Sequence, residues 1–395
     1  MKKCLLMRLL MLAVFVAGIN AFAAVKLSNV KIKQRYPWNG KVDISFKFDS
    51  TRSNNVVRIT AIDRSTGKRL NVVNLFDEKG TQLFAPIKKA PGEHRIVWDA
   101  DKDLEAGFRT DSVAVSVSVG KCFEYPTYCA IDISGGPDAE KWPVTYFNEM
   151  PEGGWPIEYK TTKLLFKLIQ PGSFMMGPAT PDSPCNIIYE NKHHVTLTKP
   201  FYINVFELSN KQWSLVQTNI TVIAGEELNY RREVFYDELR GRDKGQNWPS
   251  LEVDSDSVIG RMRLKSGIAF VDLPSEAQWE YACRAGTTTD FNNGTNDNSE
   301  FWQLGSGKVI GRARPNAWGL YDFHTGAWEW CGDYFKQTLS DAVDPMIGRD
   351  AWNYHPIRTN ASSNYRYFDR GDVTSNGVAA ECGARFVIFL EHNQE

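Results

Sequence analysis

The stretch LYDFHTGAWEWCGDY, Leu320 to Tyr334, sets one carboxylate, Glu329, between Trp328 and Trp330 in a run dense with aromatic side chains. A carboxylate in such company is either a catalytic or metal-binding group or an anchor that pins a loop-rich domain. In an extended segment the two tryptophans share one face and Glu329 points to the other. The charge can then meet a cation without entering the core. The remaining chemistry-bearing residues are cysteines and histidines. The histidines, His94, His193, His194, His324, His355 and His392, are scattered, and His193 and His194 are neighbours in an expected strand. Adjacent strand residues face opposite ways, so that pair is poorly placed to share an ion. No Gly-x-Ser-x-Gly context supports a serine hydrolase.

Two kinds of element must position these groups. From Val25 to about Gly120 apolar residues alternate: VDISFKF puts Val42, Ile44, Phe46 and Phe48 on one face, and SVAVSVSV does so with Val113, Val115, Val117 and Val119. Period two marks half-buried strands, and the turn-rich breaks DRSTGK and KAPGEH, with no helical stretch between, predict a small antiparallel sandwich of the immunoglobulin-like type. Beyond the Pro-, Gly- and aromatic-rich passage that begins at Lys121, short strands and long loops dominate. Three helices are expected there. SNKQWSLV and SEAQWEYACRAG each open on Ser with Gln three residues later (Ser209 with Gln212, Ser275 with Gln278), the capping-box pattern. DSDSVIGRMRLKSG begins with acids and stops at Gly267. On the helix after Ser275, Trp279, Ala282 and Cys283 share a face that should point into the core.

The chain has 395 residues, 42% of them hydrophobic, enough for two domains with packed cores. Its 46 Lys and Arg against 47 Asp and Glu leave no basic footprint, which argues against a nucleic-acid partner. The opening MKKCLLMRLLMLAVFVAGINAFAA has a basic start, an apolar run from Leu9 to Ile19 and small residues at Ala21 and Ala23. It reads as a secretory signal over residues 1–23, and no later run reaches the roughly 18 apolar residues of a membrane span. The mature protein is therefore expected outside the cytoplasm, secreted, periplasmic or at the cell surface. Apart from Cys4, six cysteines remain: Cys122, Cys129, Cys185, Cys283, Cys331 and Cys382. An even count in an exported chain suggests disulfides, with a buried thiol as the alternative at each position. CFEYPTYC can bend at Pro126 and join Cys122 to Cys129.

The order of landmarks is specific: QPGSFMMG, then HHVTLTKPFYINVFELSNKQW, LPSEAQWEYACRAGT, PNAWGLYDFHTGAWEWCGDY and finally CGARFV. In these motifs the chain resembles the formylglycine-generating enzyme, or sulfatase-modifying factor, family, whose fold is a variant of the C-type lectin fold. The resemblance covers roughly Ile131 to Leu390. The sandwich read from the alternation lies outside it, so the expectation is an α+β protein with that β-sandwich over 24–120, a connecting segment and entry strand over 121–160, and, as the resemblance implies, a sulfatase-modifying-factor domain over 161–392.

The resemblance also implies a ligand set. In the family the loop equivalent to YDFHTGAWEW wraps a calcium ion, which carries over here to Asp322, Thr325, Ala327 and Glu329, hard oxygen donors of the kind calcium prefers. This chain has Thr325-Gly326 where the family has Gly-Asn, a change that backbone carbonyl ligands survive. Relatives often tie the helix after Ser275 to the terminal segment, which places Cys283 near Cys382. Family enzymes hold copper through a cysteine pair between the Trp-Glu-Trp loop and the terminal motif. Here Gly332 to Glu381 contains no cysteine, and Ile357 to Ser362 is the nearest counterpart of the family's Arg-Gly-Gly-Ser-Trp. No catalytic residue is assigned, copper is not expected, and calcium is expected in a structural role.

Two functional readings follow. The first is a non-catalytic exported module that binds a protein, peptide or glycan. Its expected binding surface is the mixture of rigid aromatics and amides in Trp352, Tyr354, His355, Asn360, Asn364, Tyr365 and Tyr367. The alternative is a metal-dependent oxidase or modifying enzyme acting on exported clients such as sulfatases, which the missing thiol pair opposes.

Overall fold

In the computed structural model, residues 25–390 are described apart from 36–39, 51–54, 68, 71, 73, 84–86, 105–107, 109–111, 122–124, 179–190, 297–307, 350–353, 359–369 and 375–380. The chain divides into two compact units, one running to Glu124 and including Gly172–Met175, the other comprising Tyr125–Pro171 and the chain from Met176 onwards.

The first unit is the sandwich that the alternation predicts. One sheet runs in the order Lys26–Gln34, Lys41–Asp49, Gly92–Asp99, Leu75–Asp77, Gln82–Leu83. The other is built on Asn55–Asp63, which pairs antiparallel with Val113–Lys121 over its whole length and also with Arg69–Leu70 and Ile87–Lys89. Val42, Ile44, Phe46 and Phe48 are all buried, as are Val113, Val115 and Val117, and the two sets meet in one core around Trp98. One helical turn, Ala100–Asp103, interrupts the expected all-strand pattern. Its Asp103 carboxylate accepts the Trp98 indole N–H at 2.8 Å and the Asn74 amide, so the turn places a needed acceptor at the core's edge.

The second unit rests on a six-stranded antiparallel sheet in the order Val144–Phe147, Tyr128–Asp132, Lys163–Ile169, Phe201–Asn204, Val387–Phe389, Val271–Asp272. A smaller sheet has Trp328–Trp330 at its centre, antiparallel to Tyr354–Arg358 and parallel to Cys382–Gly383. The three expected helices form as Asn210–Val216, Val258–Ser266 and Glu276–Arg284. Ser209 and Ser275 make both halves of their capping boxes with Gln212 and Gln278. The helix expected to start on acids is capped instead by Ser257, whose hydroxyl accepts from the Gly260 amide, and it ends at Gly267 with φ of 73°. Glu276–Arg284 is buried along its whole length, so Trp279, Ala282 and Cys283 reach the core but do not define a single inward stripe. Trp142, Trp213, Trp248, Trp279 and Trp330 are fully buried in this unit. Each removes on the order of 200 Å² from water, roughly 5 kcal/mol, which offsets the small amount of regular structure.

Candidate functional site

Glu329 is 1% exposed, in the centre of the Trp328–Trp330 strand, and a cation does meet it. That cation is Arg385. Its Nε donates to Oε1 at 3.1 Å and to Oε2 at 3.0 Å, and Nη2 donates to Oε1 at 2.9 Å. The Trp279 indole N–H donates to Oε2 as well. Arg385 spends its other donors on the carbonyls of Asn204 and Tyr321, both at 2.9 Å, and its guanidinium lies 4.0 Å from the centre of the Phe323 ring. Burial disfavours the charge on Arg385, and the Glu329 carboxylate more than offsets this, so its pKa is raised. Glu329 thus links the terminal strand, the capped helix and the main sheet, as an anchor does.

Asp322, Thr325 and Ala327 lie in one buried turn with Gly326 at φ of 94°. Asp322 itself sits at φ of 67°, and its Oδ2 accepts the Gly311 amide at 2.5 Å. Burial raises Asp322 to about 6, opposed by the Gly311 amide and Arg385. Glu329, by contrast, has both oxygens committed to Arg385 and Trp279. Among the described residues no three His, Cys, Asp or Glu side chains converge on a point as metal ligands do.

A third carboxylate, which the sequence reading passes over, completes this neighbourhood. Glu207 follows the Phe201–Asn204 strand, is 4% exposed, and packs so tightly on Gly326 that a Cβ there would lie 2.1 Å from its Oε2. Neither oxygen makes a hydrogen bond of normal geometry, although the Ala327 amide is near enough to favour the charged form. Burial pushes Glu207 well above the usual carboxylate range, and Glu329 and Asp322 push it further. The signal for it was a lone acid inside the apolar run FYINVFEL.

A second buried network flanks the first. Arg358 is fully buried and bonds Glu276 at 3.4 Å and Glu280 on the capped helix, while Arg284 pairs with Glu280 at 2.6 Å. Glu280 also accepts the Gly177 amide at 2.9 Å. The i, i+4 spacing of Glu276 and Glu280 is the signal that could have found this partner.

The expected binding surface is altered by the structure. His355 is fully buried: its ring stacks on Tyr236 at 3.6 Å, lies 4.3 Å from Tyr334, and faces the Asp333 carbonyl through Nδ1 at 2.9 Å. Burial lowers it to about 3, so it is neutral and belongs to the core, not to a ligand surface. Tyr354 is half-buried in the same strand. Trp352, Asn360, Asn364, Tyr365 and Tyr367 lie outside the described residues.

The expected Cys283–Cys382 bond is not formed, and the expected Cys122–Cys129 bond reaches outside the described residues. Cys129, Cys283, Cys331 and Cys382 are all free and buried. Cys283 faces His324 Nε2 at 3.7 Å, while Cys382 sits opposite Trp328 in the small sheet, so each thiol has its own packing. Cys129, in the main sheet, has its thiol pushed up to about 12 by burial, with the Tyr146 side chain bonded to it. Its expected partner Cys122, and Cys185, lie outside the described residues. Burial raises the thiols of Cys283 and Cys331, and that of Cys382 to about 12. His193 and His194 are both buried in the His193–Leu197 strand. Among the described residues no helix is long and apolar enough to cross a membrane.

Against known proteins, the sulfatase-modifying factor enzyme 1-like domain matches residues 160–389. A protein of Paenibacillus barcinonensis named chaperone protein LppX is 24% identical over 240 residues, 50% of this chain and 83% of that protein. Among solved structures, PvdO from Pseudomonas aeruginosa aligns with a TM-score of 0.45 at 20% identity, over 57% of this chain and 95% of that one. Variable protein 1 of Treponema denticola aligns at 0.43 and 16%, over 58% of this chain and 96% of that one.

Proposed function

We propose, from the premise that this chain belongs to the sulfatase-modifying factor enzyme 1-like family, that it is an exported member which binds a polypeptide client and does not generate formylglycine. The placement of the thiols carries this reading. Copper-dependent oxidation of a client cysteine needs two thiolates on one ion, and soft Cu(I) has no common substitute for them. From Gly332 to Glu381 the chain has no cysteine. Cys331 and Cys382 flank that segment, but Cys382 pairs with Trp328 in the small sheet while Cys331 follows the Trp328–Trp330 strand, three positions further along, or about 10 Å. Both thiols are buried and pushed up, so neither offers a thiolate near neutral pH.

What the chain retains is a rigid base, with helix caps, ion pairs and tryptophan core intact, on which long loops are displayed. Lectin-type folds bind through such loops, and function lives in them more than in the fold. A relative named as a chaperone protein supports a polypeptide client over a glycan. The leader-like opening of the sequence supports export.

The deciding experiment incubates copper-loaded protein with oxygen and a sulfatase-derived cysteine peptide and follows aldehyde formation by mass spectrometry. No conversion above a protein-free control is expected. Turnover above that control would return the chain to the oxidases of its family.

A further inference from the structure

The main sheet of the second unit ends in an open edge. Its outermost strand, Val144–Phe147, precedes the residues matched by the family domain and is paired, among the described residues, with Tyr128–Asp132 only. The phase of that pairing is fixed. The Asp132 amide donates to the Pro143 carbonyl at 2.8 Å, so in the same register Ala130 exchanges bonds with Thr145, and Tyr128 with Phe147. On the far side of Tyr128–Asp132, the Ile133 amide donates to the Thr162 carbonyl at 2.9 Å, which agrees with that phase. The N–H and C=O groups of Val144 and Tyr146 therefore point away from the sheet, and among the described residues no backbone group meets them. Thr145 and Tyr146 are exposed, Tyr146 by 50%, so the edge lies open.

Sheet edges are ordinarily guarded by charges, prolines or bulges, and Val-Thr-Tyr-Phe has none of these. Pro143 lacks its N–H on the inward side, which leaves the outer edge intact. The strand is also complementary to itself. An added antiparallel strand must exchange bonds with Val144 and Tyr146, and a second copy does so when its Tyr146 lies opposite Val144 and its Val144 opposite Tyr146. Thr145 then faces itself on a two-fold axis. The same register sets Phe147 opposite the second copy's Pro143 and brings Lys141 to the end where the second copy's Glu149 lies, both exposed. Apolar pairs form on both faces, with opposite charges at both ends. Within the strand, a register shifted by two residues keeps only one such exchange and moves Lys141 off Glu149.

We propose that two copies of this chain associate by pairing their Val144–Phe147 edges antiparallel about a two-fold axis, which joins their main sheets into one continuous sheet. The strand is held ready for this. On one face the Phe147 ring lies 5.4 Å from Tyr128, 6.1 Å from Tyr159 and 6.3 Å from Trp155. On the other, the Tyr146 side chain bonds the Cys129 thiol and its ring lies 6.4 Å from Tyr202. Little ordering is left to be done on binding. The edge is short, so the interface sits at the small end of the range and the dimer exchanges with monomer. Pairing would present two copies of the loop surface at once, which raises avidity for any client with repeated sites, and it does not depend on what that client is.

The test is sedimentation velocity on the full mature protein over roughly 1–300 µM, a range that brackets a Kd on the order of tens of micromolar. Concentration-dependent dimerisation is expected. Thr145→Lys and Thr145→Glu should each weaken it by about tenfold or more, because like charges then meet at the two-fold axis. Both variants should melt like the wild type, since this side chain is exposed. Mixed in equal amounts, the two variants should associate at least as tightly as wild type, a rescue that arises only if residue 145 faces itself. A monomer at every concentration overturns the proposal and leaves the edge to a client strand. Association that neither substitution weakens, or a mixture of the two variants that stays monomeric, overturns it as well.

Discussion

Arg385 grips both carboxylate oxygens of Glu329 at 2.9–3.1 Å, with both side chains sealed from solvent. The pair joins residues 56 positions apart, and the same guanidinium holds the carbonyls of Asn204 and Tyr321. One side chain, on the segment between Cys382–Gly383 and Val387–Phe389, thereby ties the main sheet to the turn before the Trp-Glu-Trp strand. In a unit with long loops, such a node replaces much of what continuous sheet would otherwise supply.

Breaking that node from either side should be costly. Arg385→Met or Glu329→Gln alone leaves a buried group without its partner, and each is expected to lower unfolding free energy by about 3–5 kcal/mol in denaturant titrations. The double variant should cost clearly less than the sum of the two single changes, because the pair is lost together. Additive losses would show that the two side chains act independently.

Gly326 is expected to be intolerant for two separable reasons. An added Cβ would lie 2.1 Å from Glu207 Oε2, and the φ of 94° disfavours any L side chain. Gly326→Ala should therefore destabilise the protein by about 2 kcal/mol or more, and a second change, Glu207→Ala, should recover the steric part only. Recovery to the stability of Glu207→Ala alone would mean that the backbone conformation carries no strain.

How much of this was legible in the sequence depends on distance along the chain. Ser209 with Gln212 and Ser275 with Gln278 are local patterns, and both caps form. The alternation through Val42 to Phe48 is local too, and it lines the sandwich core. The cation for Glu329 was not legible, because Arg385 and a metal ion satisfy the same requirement and only folding brings residue 385 to residue 329. Glu207 was missed for the same reason: its meaning comes from Gly326, far along the chain. His355 was misassigned because an aromatic-rich strand looks alike whether its rings face water or the stacked rings of Tyr236 and Tyr334.

His355 makes a pH prediction. Burial lowers its folded pKa to about 3 against an ordinary value of 6.5, so the unfolded chain binds the extra proton between those limits. Its contribution is fully present above pH 6.5 and is lost as pH falls towards 3, with a slope of up to about 1.4 kcal/mol per pH unit. His355→Phe, which can keep the stack on Tyr236, should show an unfolding free energy whose slope between pH 6 and roughly 4 is lower by one proton. Identical slopes for the two proteins would place His355 in contact with solvent.

The last prediction concerns the thiols, where the oxidising-compartment argument and the structure part company. Exported chains often pair their cysteines. Here Cys283 faces His324 at 3.7 Å, Cys129 lies in the main sheet beside Tyr146, and Cys331 and Cys382 are held apart by the register of the small sheet. Each is buried with its pKa raised, so each should be both unpaired and slow to react. Folded protein treated with iodoacetamide, without reductant, should remain unmodified at these four positions. After denaturation, still without reductant, peptide mapping should find all four alkylated. A Cys283–Cys382 cross-linked peptide would overturn the assignment of both as separate, buried thiols.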